Sequence, residues 1–302
     1  MSSQLKRYLC SAVVLVAVTV APAQTSRDED LKYWHDRESW MRSPKSPLAL
    51  AGLFWLKPGV NRLGGADGLE VRLPADAVPP NVGRLTLEGQ RVRLEITDPS
   101  VVATLNEKQV THQELRSDAG DGKPDLVSIG RIDFKVISRG GQLAVRVIDR
   151  DNPPLQKFSG LKRYPIRAEF RVLARFTPYQ PVKKIQVASI TGHVEELICP
   201  GVAEFELAGI KQRLEPVYEE PDPEELFFMF KDATNGKETY EGGRYLYTAL
   251  PEKGQVLLNF NLAHNPYCAY TPYSTCQLPP VQNWLKVPVE AGEKSYQPRR
   301  KN

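Results

Sequence analysis

The residues best suited to chemistry lie late in the chain, in HNPYCAYTPYSTCQLPPVQNWL (residues 264–285), where seven residues separate Cys268 from Cys276. In an oxidising compartment two such thiols close a disulfide. With His264 they would make a three-ligand zinc site. A Cys268 thiolate activated by His264 would be a nucleophile. The segment lacks the paired Cys-x-x-Cys that marks zinc sites. Residues four apart are neighbours only on a helix, and Pro266 argues against one here. A disulfide between Cys268 and Cys276 is therefore expected, with the thiol, metal and nucleophile readings behind it as alternatives. Closing so short a ring would stabilise the fold by about 2–3 kcal/mol in the chain-entropy account. No metal or cofactor is expected. Cys199, in LICPG, reads as a small buried hydrophobe.

A second group of polar residues lies upstream, in DATNGKETYEGGR (232–244). Asp232 can cap a turn through its carboxylate, and Asn235-Gly236 supplies positive φ, so the segment reads first as a hairpin loop. Asp232, Thr239, Tyr240 and Arg244 would then meet near one sheet edge, with Arg244 able to fork an anionic ligand or to pair with Asp232 or Glu241. In LLNFNLAHN (257–265), Leu258, Phe260 and Leu262 share one face of a strand, Asn259 and Asn261 the other, and Asn265 follows. Asn is disfavoured in strands. These amides either tie down the cysteine loop or line a polar pocket for a sugar or peptide. The candidate ligand-binding set is thus Asp232, Thr239, Tyr240, Arg244, Asn259, Asn261 and Asn265, with catalytic residues unassigned.

Other signals are weaker. His193-x-Glu195 could hold a metal but reads first as solvated, as do His112 and His35, and Trp34, Trp40, Trp55 and Trp284 read as core or staple residues rather than a binding platform. Gly-x-Ser-x-Gly, His-Glu-x-x-His, the P-loop and Gly-x-Gly-x-x-Gly are all absent. That argues against those enzyme classes but leaves triads open, because geometry rather than order defines them. Lys6-Arg7, an apolar run from Leu9 to Val20, and Ala21-Pro22-Ala23 read as an export signal over residues 1–23. Its loss reduces the net charge from +4 to +2, with 38 basic and 36 acidic residues interspersed. Nucleic-acid binders carry a basic stripe, and none is evident. Arg299-Arg300-Lys301 reads as a frayed tail. No later segment is long and apolar enough to span a membrane, so the expected product is exported, periplasmic or secreted.

These residues need a frame. Ser26-x-x-Glu29 fits a capping box. Leu31, Trp34, Glu38 and Met41 fall on one helical face, and Ser43-Pro44 ends the helix. Beyond it the pattern has period two. Strands are expected at Leu48–Leu56, Leu69–Leu73, Arg84–Leu87, Val92–Ile96, Phe134–Ser138, Leu143–Ile148, Ala168–Phe176, Lys184–Ile190, Ala203–Leu207, Leu226–Phe230, Arg244–Ala249 and Val256–Leu262. Arg139-Gly140-Gly141 marks a hairpin. Many short strands imply an all-β protein of sandwich or barrel type, with a break at Asp149–Pro154.

Three blocks, SPLALAGLFWLKPGVNRLGG (46–65), FKDATNGKETYEGGRYLY (230–247) and LNFNLAHNPYCAYTPYSTCQLPPVQNWLKVPVEAGEK (258–294), resemble the DUF1684 family, whose function is unassigned. His264 departs from that pattern, where an aromatic such as Tyr is expected. Residues 52–150 are also similar to a forkhead-associated (FHA) β-sandwich, through GVNRLGG, EVRLP and ATLNEKQV. The phosphothreonine-reading residues of that fold do not carry over. Gly65 stands where its Arg would be, and PPNVG (79–83) replaces its Ser-Arg-x-His loop. The resemblance therefore implies a scaffold without the Arg fork that phosphate needs. The organisation expected is a signal over 1–23, an N-terminal helix over 24–45, an FHA-like sandwich over 46–150, a C-terminal β-rich unit carrying the site over 151–297, and a tail over 298–302. The favoured function is an exported ligand-binding or scaffold module for a small molecule, sugar or peptide. A hydrolase built on the C-terminal polar residues is one alternative, and a structural envelope protein is another.

Overall fold

The computed structural model describes residues 22–119 and 123–296. Most of the expected signal and the tail lie outside this range. Among the described residues the protein is all-β apart from one long helix, α1 (Pro22–Met41), a single turn, α2 (Pro153–Gln156), and short 3-10 turns. No helix among the described residues is long and apolar enough to cross a membrane.

The first half is a two-sheet sandwich. A six-stranded sheet runs, in spatial order, Leu50–Trp55, Gln142–Asp149, Ile132–Arg139, Val127–Ile129, Ala103–Leu105 and Lys108–Gln109. A five-stranded sheet runs Val71–Arg72, Gly59–Gly64, Gly83–Glu88, Arg91–Ile96 and His112–Leu115. Alternation sends Leu63, Leu85 and Leu94 from one sheet, and Phe134, Val136 and Val147 from the other, into a common core. The Gly140-Gly141 hairpin forms as expected, with φ of +55° and +78° at its two turn residues. Gly64 is fixed by close approach, since a Cβ there would lie 2.3 Å from the Pro80 carbonyl oxygen.

The second half has a four-stranded sheet in the order Ile210–Leu214, Val194–Leu207, Arg171–Ala188, Gln255–Asn259, and a separate pair, Glu225–Phe230 with Arg244–Ala249. Phe228, Phe230, Leu246, Leu258 and Phe260 form its core, closed by Leu285, Val287 and Val289 from the last segment.

Several expectations need correction. Strands at 168–176 and 184–190 are one strand, Arg171–Ala188, whose ladder shifts register between Pro178 and Lys183. The register shift there accommodates Pro178 and Pro181 within one strand. The strand expected at Ala203–Leu207 runs from Val194 to Leu207 and takes in LICPG, with Cys199 fully buried as expected. The strand at 256–262 ends at Asn259, and a 3-10 turn, Phe260–Leu262, follows. Alternating faces therefore do not separate the asparagines from Phe260: Asn259, Phe260 and Asn261 are all buried. On α1, Trp34 and Met41 are buried but Leu31 is 41% exposed, and Asp30 takes the inner face at 2%. Trp284 is 51% exposed, so of its two readings the core one fails; its indole donates to the Pro279 carbonyl and lies under Lys231.

Candidate functional site

Asp232, Thr239 and Arg244 come together, but inward. Asp232 and Arg244 side chains are both 0% exposed, with Arg244 Nη2 donating to Asp232 Oδ2 at 2.7 Å and to the Val289 carbonyl at 2.9 Å. Arg244 Nη1 donates to the Ala291 carbonyl. Asp232 Oδ1 accepts from the Thr234 amide and hydroxyl and from the Val289 amide. Thr239 Oγ1 lies 2.8 Å from Thr234 Oγ1. Burial of two charges is tolerable only when such partners exist. The guanidinium fork expected to hold an anion is thus occupied by the protein.

The asparagines are spent likewise. Asn259 Nδ2 donates to Asp30 Oδ1 of α1 at 2.7 Å. Asn261 exchanges two bonds with the Arg167 backbone and donates to Asn259 Oδ1. The Asn261 carbonyl accepts from Trp34 Nε1 at 3.0 Å. The Asn265 amide donates to Glu293 Oε2, its Nδ2 to the Lys294 carbonyl, and its own carbonyl accepts from Arg37 Nη2. Asp232, Tyr240, Arg244, Asn261, Asn265 and His264 therefore do not converge on one open pocket, which removes the constellation a hydrolase would use. Together these amides lock α1 onto the C-terminal half.

Cys268 and Cys276 are unbonded thiols lying side by side, the Cys268 amide donating to Cys276 Sγ at 3.3 Å. The Cys268 thiol and further donors hold the Cys276 thiol down at about 6, while hydrogen bonding to Cys276 and burial push Cys268 up. Tyr240, expected beside Arg244, instead turns its hydroxyl to Cys268, and burial raises it above its ordinary range. His264 does not join the thiols. Its Nδ1 lies 2.9 Å from the Tyr33 hydroxyl, its ring stacks on Tyr247 at 5.8 Å, and burial lowers it well below its usual value. Among the described residues no group of three His, Cys, Asp or Glu is placed to hold a metal ion.

The cysteine loop instead forms one wall of a cleft of about 810 Å³. Tyr270 to Tyr273 face the sandwich there, opposite Pro47 to Ala51, Asp76, Arg131 and the connector from Asp149 to Gln156. Arg131 bridges two carboxylates, donating from Nη2 to Asp76 Oδ2 at 2.7 Å and from Nε to Asp149 Oδ1 at 3.0 Å. Asp151, Gln156 and Tyr273 line the same space, and their side chains have no hydrogen-bond partner among the described residues. The cleft's seam is tied within the cysteine loop, where Arg139 Nε and Arg146 Nη2 both donate to Thr275 Oγ1 at 3.1 Å. Of the candidate residues read from the sequence, none lines this cleft. A signal for it was present: the Gly140-Gly141 turn places Ile132 opposite Asp149, so Arg131 and the Asp149–Asp151 carboxylates had to meet at the hairpin's open end.

A family model described as "Protein of unknown function (DUF1684)" matches residues 156–294. The solution structure of an uncharacterised protein of Haloarcula marismortui is similar at 31% identity, over 46% of this chain and 78% of that one, with a TM-score of 0.40. The FHA domain of FhaA, solved with the intracellular domain of another protein, is similar at 21% identity, over 31% of this chain and 85% of that one, with a TM-score of 0.23. A further FHA domain, from a study of phosphothreonine-dependent FHA interactions, is similar at 20% identity, over 32% and 92%, with a TM-score of 0.23. No curated protein matches the chain.

Proposed function

Residues 156–294 match the DUF1684 family, and from that premise we propose that the chain is an exported module that binds a neutral, hydroxyl-rich ligand, a sugar, in the cleft between the sandwich and the cysteine loop. One observation carries this reading: a cleft of about 810 Å³ is walled by both halves and holds polar side chains that are unpaired among the described residues, beside tyrosine. Asp151 and Gln156 offer acceptors to sugar hydroxyls, Tyr273 offers a ring face and a hydroxyl, and prolines at 47, 74, 153, 154 and 272 keep the walls rigid. Arg131, already committed to two carboxylates, leaves an anion no free fork.

Thermal-shift profiling with sugars, peptides and anions tests it, since binding to the native state raises apparent stability. A sugar should raise the midpoint, and Tyr273→Ala and Asp151→Asn should abolish that rise while leaving the unliganded midpoint nearly unchanged. A rise with peptides alone, or a sugar response intact in both variants, refutes the assignment.

In an oxidising compartment the adjacent Cys268 and Cys276 would close into a disulfide and stiffen the cleft wall between them. Thiol titration of the exported protein under denaturant should then find Cys199 alone. Two further free thiols would sink that pairing.

A further inference from the structure

A second cavity, of about 580 Å³, lies between α1 and the strands Arg171–Ala188 and Gln255–Asn259, and shares no residue with the cleft. Asp30 lines it and is 2% exposed. Its Oδ1 accepts from Arg171 Nη1 at 2.8 Å and from Asn259 Nδ2 at 2.7 Å. Its Oδ2 is shut off from solvent and, among the described residues, has no donor. A buried carboxylate oxygen without a donor is costly and rare in native proteins, so a donor is missing from this position. Arg171 does not supply it, because the Nη1 that meets Asp30 is shared between Oδ1 and the Ser26 carbonyl.

The mouth of the same cavity is apolar. Leu173, Leu250 and Leu257 line it and are 59%, 43% and 43% exposed, with Leu173 and Leu257 directly paired across neighbouring strands. Exposed leucines gathered around one opening mark a contact surface rather than scattered surface residues. The charges facing the cavity are Glu29, Asp30 and Glu252 against Arg171 and Lys253, and Lys253 pairs with Glu252. One negative charge is left over.

We propose that this cavity is a binding site for an amphiphilic cation, a protonated primary amine that donates to Asp30 Oδ2 and lays its apolar chain across Leu173, Leu250 and Leu257. A carboxylate would face the surplus negative charge, and an alcohol would supply a donor without neutralising it.

The test is calorimetric titration of the whole protein with butylamine, pentylamine and hexylamine, with hexanol and hexanoate as controls. Affinity should rise roughly fourfold per added methylene, and hexylamine should bind at least about tenfold more tightly than hexanol, as expected when a charged donor replaces a neutral one. Asp30→Asn should remove the preference for amine over alcohol. Leu257→Ser, at an exposed position, should remove the chain-length dependence while leaving the unfolding midpoint in place. Equal binding of amine, alcohol and carboxylate, retention of the full chain-length series in Leu257→Ser, or no amine binding at millimolar concentration would overturn the site. None of these outcomes bears on the sugar cleft, which lies elsewhere.

Discussion

Arg244 is fully enclosed, and every strong contact it makes is internal. Removing it leaves Asp232 buried without its counter-charge, so Arg244→Met should cost about 3–5 kcal/mol, read as a lower urea midpoint. The double variant with Asp232→Asn should recover part of that loss, and a single-variant cost below about 1 kcal/mol would contradict the account. His264 makes a pH-dependent contribution. Burial holds it well below its ordinary value of 6.5, so the folded chain favours the neutral ring while the unfolded chain gains a proton below that pH. Its contribution is complete above pH 6.5 and is lost as pH falls below it, by up to about 1.4 kcal/mol per pH unit. Stability curves between pH 7 and 5 should flatten in His264→Phe, and an unchanged slope would exclude this source. Glu293, raised by burial, acts in the opposite sense, favouring the fold at pH below its ordinary 4.5 and less above it. Both polar positions stood out in the sequence, but their burial did not. The Tyr33 hydroxyl that meets His264 is 231 residues away, and the carbonyls that hold Arg244 are 45 and 47 residues away. Local pattern carries no information over such separations.

At the scale of elements, α1 is held less by an apolar stripe than by named polar contacts. Trp34 Nε1 reaches the Asn261 carbonyl, Arg37 reaches that of Asn265, Asp30 takes Arg171 and Asn259, and Glu38 Oε1 accepts from the Leu161 amide. Trp34 adds the main buried apolar surface, at 2% exposure. Trp34→Ala should cost about 3–5 kcal/mol and raise amide exchange across residues 26–41 before it affects the sandwich. Uniform exchange in both regions would mean that the helix is not a separable clamp. The end of the helix at Ser43-Pro44 was readable, but its start was not, since α1 begins at Pro22 and encloses the Ser26–Glu29 pair read as a capping box; nor was its inner face, because Asp30 is turned inward by partners on distant strands. Hairpins with strong turns, Gly89-Gln90 and Gly140-Gly141, were readable almost to the residue. The strands between 103 and 129 were not, since they are three or four residues long at most and several of their side chains are polar and exposed. Nothing in such segments distinguishes a strand from a loop until a neighbouring strand pairs with it.

At the scale of the molecule, the cleft and the amine cavity both arise where separate parts of the chain face each other. That is why composition and motif pointed to Asp232, Arg244 and the asparagines, which turned out to be fastenings. The sandwich meets the second half through Arg139 and Arg146 on Thr275, and through Asn152, whose Nδ2 donates to the carbonyls of Leu48 and Leu50. The last segment has its own part in this. Val287, Val289 and Ala291 belong to the second core, and Glu293 is enclosed at 1% exposure between Arg37, Tyr270 and Asn265. This arrangement sets an order in time. Arg244 and Asp232, and the helix that begins at Pro22, acquire their final partners only when residues 289–293 are available. Until residues 289–293 have emerged, a nascent or threading chain therefore holds the Arg244–Asp232 pair without its backbone partners and α1 without its Glu293 contact, and the second half cannot complete its fold by stages as the sandwich can.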